Sequence, residues 1–246
     1  DSVFGPWGGS VALHEGALVV NGTAIPLTQA PDLSALDLSG VDLVMECTGR
    51  ADARAVAMRG IEGGARRVLV SGPSAAAQYT VVLGANEAGL DAALRTGAKV
   101  LSNASCTTNA LAPLVRLLDQ EFGIKTGWMT TIHCYTGSQP TTDAPSVDYA
   151  RSRAAALSMV PTTTSAQRLL DVVLPHLAGK IEGAAVRVPV ASVSAVDLTV
   201  MLEKDCDVAA VNALFVEQKT VIGSTDRALV SSDLRARPES IVMALP

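Results

Sequence analysis

No run of lysine and arginine stands out among the 246 residues, and 19 basic side chains are outnumbered by 24 acidic ones, for a net charge of −5. Nucleic acid and anionic membranes require a clustered positive footprint, so neither is an expected partner. No apolar stretch reaches the roughly 18–20 residues of a membrane span. The opening DSVFGPWGG carries neither a charged n-region nor an apolar h-region, and no secretory leader is read there. Cysteines number four, Cys47, Cys106, Cys134 and Cys206, too scattered for a disulfide scaffold and suited to a reducing cytoplasm. No Cys-x-x-Cys pair offers zinc close ligands. His133 and Cys134 are neighbours, but consecutive strand residues point to opposite faces, so no metal is expected. Internal repeats and low-complexity tracts are lacking, and so is any G-x-G-x-x-G turn to hold a pyrophosphate at a helix N-terminus.

What is present is a 48% hydrophobic composition, ample for a buried core in one large domain or two smaller ones. The first forty residues read as hairpins: VALHEG, ALVVNG and TAIPL are separated by Gly and Asn-Gly. Continuous apolar runs then alternate with helical stretches: VDLVMEC, ADARAVAMRGIEGG, ARRVLVSG, YTVVLGAN and AKVLSNA. That alternation predicts buried parallel strands with crossover helices. Ligands of such sheets gather at the carboxyl ends of strands, where Thr48-Gly49 and Ser71-Gly72-Pro73 fall. Small residues also end most buried strands without any ligand.

CTTNALAPLVRLLDQEFG places Leu111, Leu114, Val115, Leu118 and Phe122 at helical spacing and stops at Gly123. Ser102, Asn103 and Ser105 supply capping chemistry before it, and Pro113 is expected to kink it or divide its first turn from its body. WMTTIHCY reads as a strand. The polar stretch GSQPTTDAPSVDYARS after it is a long loop of the kind that is often functional. SAQRLLDVVLPHLAG is a further helix, and the alternation over Val193 to Leu202 predicts a half-buried antiparallel strand. The second half is therefore mixed α and β.

Cys106 opens a helix, where unpaired amides and the helix dipole lower a thiol's pKa. A lone cysteine is more commonly a small buried hydrophobe. Ser102, Asn103, Ser105, Thr107, Thr108 and Asn109 around Cys106 are poor lining for a core and favour a nucleophile. His133 ends a strand; the other histidines are His14 in the early hairpin and His176 after Pro175. A base for Cys106 is either His133 or a carboxylate, and a single strand histidine more often has a structural role. Arg187, in the strand-like VRV, is costly to bury unpaired and is either an anion ligand or half of a salt bridge.

The run SNASCTTNALAP resembles the nucleophile signature of glyceraldehyde-3-phosphate dehydrogenases, and TTIHCYTGSQ, MVPTTTSA and VRVPVASVSAVDLTV are similar to later motifs of that family, in the same order. ECTGR and the opening DSVFG are similar too, so the resemblance covers essentially the whole chain. It implies a fold of α/β plus α+β type: a partial Rossmann-type dinucleotide-binding domain over 1–105, then a mixed, mainly antiparallel catalytic domain over 106–246. It implies that Cys106 is the nucleophile and His133 the base in oxidation and phosphorylation of D-glyceraldehyde 3-phosphate to 1,3-bisphosphoglycerate with NAD or NADP. Thr136, Ser138 and Arg187 would take the phosphate of the triose phosphate substrate. Ser105, Thr107 and Thr164, again with Arg187, would take inorganic phosphate, with Ser165 at a position where the family usually has glycine. Thr164 would also serve as a helix cap. Thr48, Gly49, Arg50, Ser71 and Gly72 would border the cofactor. Gln29 stands where an adenine-side basic residue is frequent, and Ala110 replaces a second cysteine that many members carry. The family's first βαβ unit and its closing segment are expected to lie outside the chain, and a cytoplasmic homotetramer is the implied assembly.

Three other readings stay open at this point. Erythrose-4-phosphate dehydrogenase would share Cys106 and His133 but usually lacks the threonine-rich phosphate motifs. A fragment without dehydrogenase activity would act as a binding or structural module. A cysteine hydrolase would need Cys106 and His133 and no nicotinamide.

Overall fold

Tight turns open the fold, as the Gly spacing predicts. The computed structural model describes residues 2–218 and 221–245. Strands β1 (Val11–His14), β2 (Ala17–Val20) and β3 (Thr23–Ile25) form an antiparallel sheet. Asn21 and Gly22 both have positive φ, 49° and 82°, the geometry of a type I′ hairpin turn. Glu15 and Gly16 repeat it at 49° and 80° without the asparagine that signals it in sequence.

The next strands, β4 (Val44–Glu46), β5 (Val68–Val70), β6 (Tyr79–Thr80) and β7 (Val100–Ser102), form a parallel sheet in the order β4-β5-β7-β6. Helix α1 (Arg54–Glu62) crosses between β4 and β5, and α2 (Leu90–Arg95) precedes β7. Buried Val68, Val70, Val100, Ala51 and Ala57 make this core. Gly60 lets α1 approach closely, because a Cβ there would sit 2.7 Å from Val68 Cγ2. The apolar run YTVVLGAN pairs over only two residues. Asn86 takes the backbone groups a longer strand would use: Val82 N donates to Asn86 Oδ1 at 2.8 Å, and Asn86 Nδ2 donates to the Thr80 carbonyl at 2.9 Å. Val82 then packs into the other core.

That second core is built around α3 (Cys106–Phe122), 17 residues long, and β8 (Ile124–Cys134). The mixed sheet also contains β9 (Val160–Thr162), β10 (Ile181–Val188) and β11 (Ala195–Leu202), in the order β11-β8-β10-β9. β8 and β10 are parallel, and the two outer pairings are antiparallel. Leu111, Val115, Met129, Leu170 and Ile181 meet between α3, the sheet and α4 (Ala166–Val173). Pro113 lies inside α3 without ending it, so it divides no first turn from the body. Gly123, φ 70°, stops the helix where expected. α4 ends at Val173, short of the sequence reading, because Pro175 cannot continue it. β11 alternates between exposed and half-buried positions as predicted. Helix α5 (Val208–Val216) and the parallel pair β12 (Ile222–Thr225) and β13 (Ile241–Ala244) complete the described residues.

Candidate active site

Ser105 is the N-cap of α3: its hydroxyl accepts from the Thr108 amide at 3.1 Å. The preceding Ala104 is buried with a left-handed φ of 55°, a conformation unfavourable for alanine by roughly 1–2 kcal/mol. This bend turns the chain from β7 into α3 and leaves Cys106 exposed on the first turn. A buried, inert cysteine is therefore excluded. Ser102, a candidate cap in the sequence, instead accepts from the Ala104 amide at 3.1 Å and donates to the Gly72 carbonyl at 2.8 Å.

Alternation along β8 buries Met129, Thr131 and His133, while Trp128 and Ile132 face outward. Thr131 Oγ1 lies 3.5 Å from Thr107 Oγ1, so the buried face of β8 abuts the first turn of α3. Two residues further along the same face, His133 Nε2 is 3.1 Å from Cys106 Sγ. The hydrogen bond from His133 holds the Cys106 thiol below its ordinary pKa, assisted by the Thr107 amide and hydroxyl and opposed by burial. Reciprocally, Cys106 and then Cys134 push His133 up to about 10. A thiolate facing an imidazolium is the state these two groups favour in each other.

β10 runs parallel to β8 with Arg187 in register with His133. Arg187 Nη1 donates to the Cys134 carbonyl at 2.8 Å and lies 2.7 Å from His133 Nδ1. That contact requires a lone pair on Nδ1 and so opposes its protonation, against the upward push of the two cysteines. No carboxylate pairs with Arg187 among the described residues, which removes the salt-bridge reading. Burial and the nearby Arg151 push the Arg187 pKa down. Arg151, from the loop after β8, donates through Nε to Thr162 Oγ1 at 3.1 Å and pairs with Asp148 at 3.3 Å. It is a second guanidinium at the site that the sequence reading missed; a basic residue inside a long functional loop was its signal.

The hydroxyls fall into separate groups. Thr136 and Ser138 share a 2.9 Å hydrogen bond just beyond β8. Thr107 is only 6% exposed and faces inward. The N-cap of α4 is Ser165, which makes no cap bond, and Thr164, one residue earlier, accepts from the Ala166 amide at 3.1 Å. Thr164 and Ser165 line a depression of about 460 Å³ with Arg168 and Asp171. Cys134 was also missed. Although strand neighbours diverge, its Sγ is 3.8 Å from His133 Nδ1 and accepts from the Ser194 hydroxyl at 3.6 Å.

Thr48, Gly49 and Arg50 follow β4, and Ser71 and Gly72 follow β5, at the carboxyl edge of the parallel sheet. A Cβ at Gly49 or Gly72 would meet nothing within 4 Å, so the backbone is open to a ligand at both. Glu46 Oε2 is buried beside them without a hydrogen-bond partner among the described residues. These features fit contact with part of a dinucleotide. Among the described residues no helix is long and apolar enough to cross a membrane.

The model for "Glyceraldehyde 3-phosphate dehydrogenase, C-terminal domain" matches residues 105–245, from the N-cap of α3 onward. The chain is 42% identical over 250 residues to glyceraldehyde-3-phosphate dehydrogenase 2 of Bacillus subtilis, covering 99% of this chain and 73% of that protein. The chain belongs to the glyceraldehyde-3-phosphate dehydrogenase family. Glyceraldehyde-3-phosphate dehydrogenase 1 of Bacillus cereus is 43% identical over 95% of this chain and 71% of its own length. The Pseudomonas aeruginosa glyceraldehyde-3-phosphate dehydrogenase is 42% identical over 98% of this chain and 73% of its own length. Membership makes the chain one of a family of oxidoreductases.

Proposed function

We propose that the chain oxidises and phosphorylates D-glyceraldehyde 3-phosphate to 1,3-bisphosphoglycerate. The observation that carries this reading is the 3.1 Å contact between Cys106 Sγ and His133 Nε2 at the start of α3. The Cys106 thiolate adds to the aldehyde carbon and forms a hemithioacetal. His133 Nε2 takes the hydroxyl proton as the carbon loses hydride, leaving a thioester on Cys106. Inorganic phosphate then attacks the thioester carbonyl, the acyl phosphate departs, and the thiolate is restored. NAD or NADP, when bound, supplies the acceptor for the hydride.

Thr136, Ser138 and Arg187 hold the substrate's phosphate in this reading, and Ser105, Thr107, Thr164 and Ser165 hold inorganic phosphate. A guanidinium among hydroxyls supplies the charge-assisted hydrogen bonds such an anion needs, and Arg151 adds a second cation. Thr48, Gly49, Arg50, Ser71 and Gly72 border the cofactor, supported by the open backbone at both glycines. Residues 1–105 serve the dinucleotide and 106–246 the chemistry, in a cytoplasmic homotetramer. The hydroxyls at Thr136 and Thr164 favour the triose phosphate over erythrose 4-phosphate.

The test is absorbance of reduced nicotinamide with glyceraldehyde 3-phosphate, phosphate and NAD or NADP in separate arms, with erythrose 4-phosphate as rival substrate. Turnover that depends on phosphate and disappears in Cys106→Ser is expected. Absence of reduced nicotinamide in both arms, or retained turnover in the variant, would count against the proposal.

A further inference from the structure

His133 Nδ1 has two partners that demand opposite things of it. The Cys134 carbonyl, 2.7 Å away, is an acceptor and requires a proton on Nδ1. Arg187 Nη1, also 2.7 Å away, has only N–H groups to offer and requires a lone pair there. Nδ1 satisfies one partner at a time. The same Nη1 also donates to the Cys134 carbonyl at 2.8 Å, so the guanidinium occupies both Nδ1 and the group that would receive its proton.

The choice decides what Nε2 can do. With Nδ1 accepting from Arg187, the neutral ring carries its single proton on Nε2, the nitrogen facing Cys106. Nε2 then has no lone pair with which to take a proton. With Nδ1–H donating to the Cys134 carbonyl, Nε2 is free to accept one. The titratable and charged groups that face the ring are Cys106 from α3, Cys134 beside it on β8 and Arg187 from β10, with Arg151 next to Arg187.

We propose that Arg187 gates the base: in the absence of a phosphate-bearing ligand its guanidinium keeps Nδ1 an acceptor and Nε2 protonated, and a phosphate that draws it away allows Nδ1 to protonate and releases Nε2. Nδ1 takes its proton from solvent, and the Nε2 proton is then shared with the Cys106 sulfur, so that imidazolium with thiolate and free Nε2 with thiol interconvert across the 3.1 Å contact. Arg187 is available for this role because no carboxylate pairs with it among the described residues. A dianionic phosphate is a stronger partner for a guanidinium than a neutral imidazole nitrogen. The gate extends the dehydrogenase reading and rests on it for its purpose: an aldehyde without a phosphate would meet a base in the wrong tautomer and lose kcat as well as affinity.

Nitrogen-15 NMR of the histidine rings tests it directly, and with three histidines in the chain the spectrum is simple to assign through His133→Asn. The expected result is an unprotonated Nδ1 in the free chain and with glycerol, and a protonated Nδ1 with glycerol 3-phosphate. In Arg187→Met, Nδ1 is protonated without any ligand. A protonated Nδ1 in the free chain, or an unprotonated one in the variant, overturns the gate. Alkylation of Cys106 by iodoacetamide gives a second check if the variant is folded by circular dichroism. Loss of a nearby cation would by charge alone move the acid limb of the rate profile to higher pH. The gate predicts movement to lower pH, and movement to higher pH or none contradicts it. None of these measurements needs cofactor or turnover. A switching Nδ1 in a chain that reduces no nicotinamide would leave the gate standing and remove the dehydrogenase reading; turnover with Nδ1 already protonated would do the reverse.

Discussion

A thiol left to itself ionises near pH 8.5. The hydrogen bond from His133 holds Cys106 below its ordinary value. For an acid with a lowered pKa, the thiolate is present above that lowered value and is lost as pH falls through it. Alkylation of Cys106 is therefore expected to persist at neutral pH, and His133→Asn to move its midpoint upward toward the ordinary thiol range. A midpoint unchanged in the variant would contradict the pair. In steady-state turnover the same variant should lose on the order of 10²–10⁴-fold, the usual worth of a positioned base. Cys106 was legible in sequence from its helix start and polar neighbours. Its partnership with His133 was legible only through the family motifs, because it depends on which face of β8 meets α3, and the alternation of a strand leaves that choice to tertiary packing. The contact of Arg187 with His133 Nδ1 was beyond reach for a related reason: it follows from the register of β10 on β8, set by residues 54 apart in the chain.

Helix α3 was read almost residue for residue, since its apolar spacing, its N-terminal serine and its closing glycine agree with one another. That agreement gives two stability predictions. Ser105→Ala removes the cap accepted from the Thr108 amide and should cost about 1 kcal/mol in denaturant unfolding. Leu111→Ala, at a fully buried position between α3 and the sheet, should cost about 2–5 kcal/mol. A smaller loss for leucine than for the cap would mean that α3 is not the centre of its core. β6 shows where pattern reading fails. YTVVLGAN is apolar enough for a full strand, but the side chain of Asn86 ends it after two residues, and a competing side-chain hydrogen bond carries no period. α5 was missed because its apolar residues form no stripe.

Trp128, Ile132 and Met201 share the outer face of the β8–β11 pair and are 48%, 41% and 62% exposed. Large apolar side chains grouped on one sheet face mark an interaction surface. The proposed homotetramer is expected to bury it, so Trp128→Glu should shift sedimentation velocity toward smaller species, and an unchanged distribution would place the contact elsewhere. The parallel order of the first half and the mixed sheet of the second were legible in outline, because buried parallel strands read as unbroken apolar runs and β11 as an alternating one. The proposed chemistry needs both halves at once, with Ser102 tying the turn after β5 to the strand that leads into Cys106. The most direct measurement of it uses the chain with glyceraldehyde 3-phosphate and NAD or NADP but no inorganic phosphate, quenched and digested for peptide mass. The account predicts one equivalent of reduced nicotinamide and an acyl adduct on the Cys106 peptide that disappears when phosphate is added. Reduced nicotinamide without an adduct, an adduct on Cys47, Cys134 or Cys206, or an adduct indifferent to phosphate would contradict it.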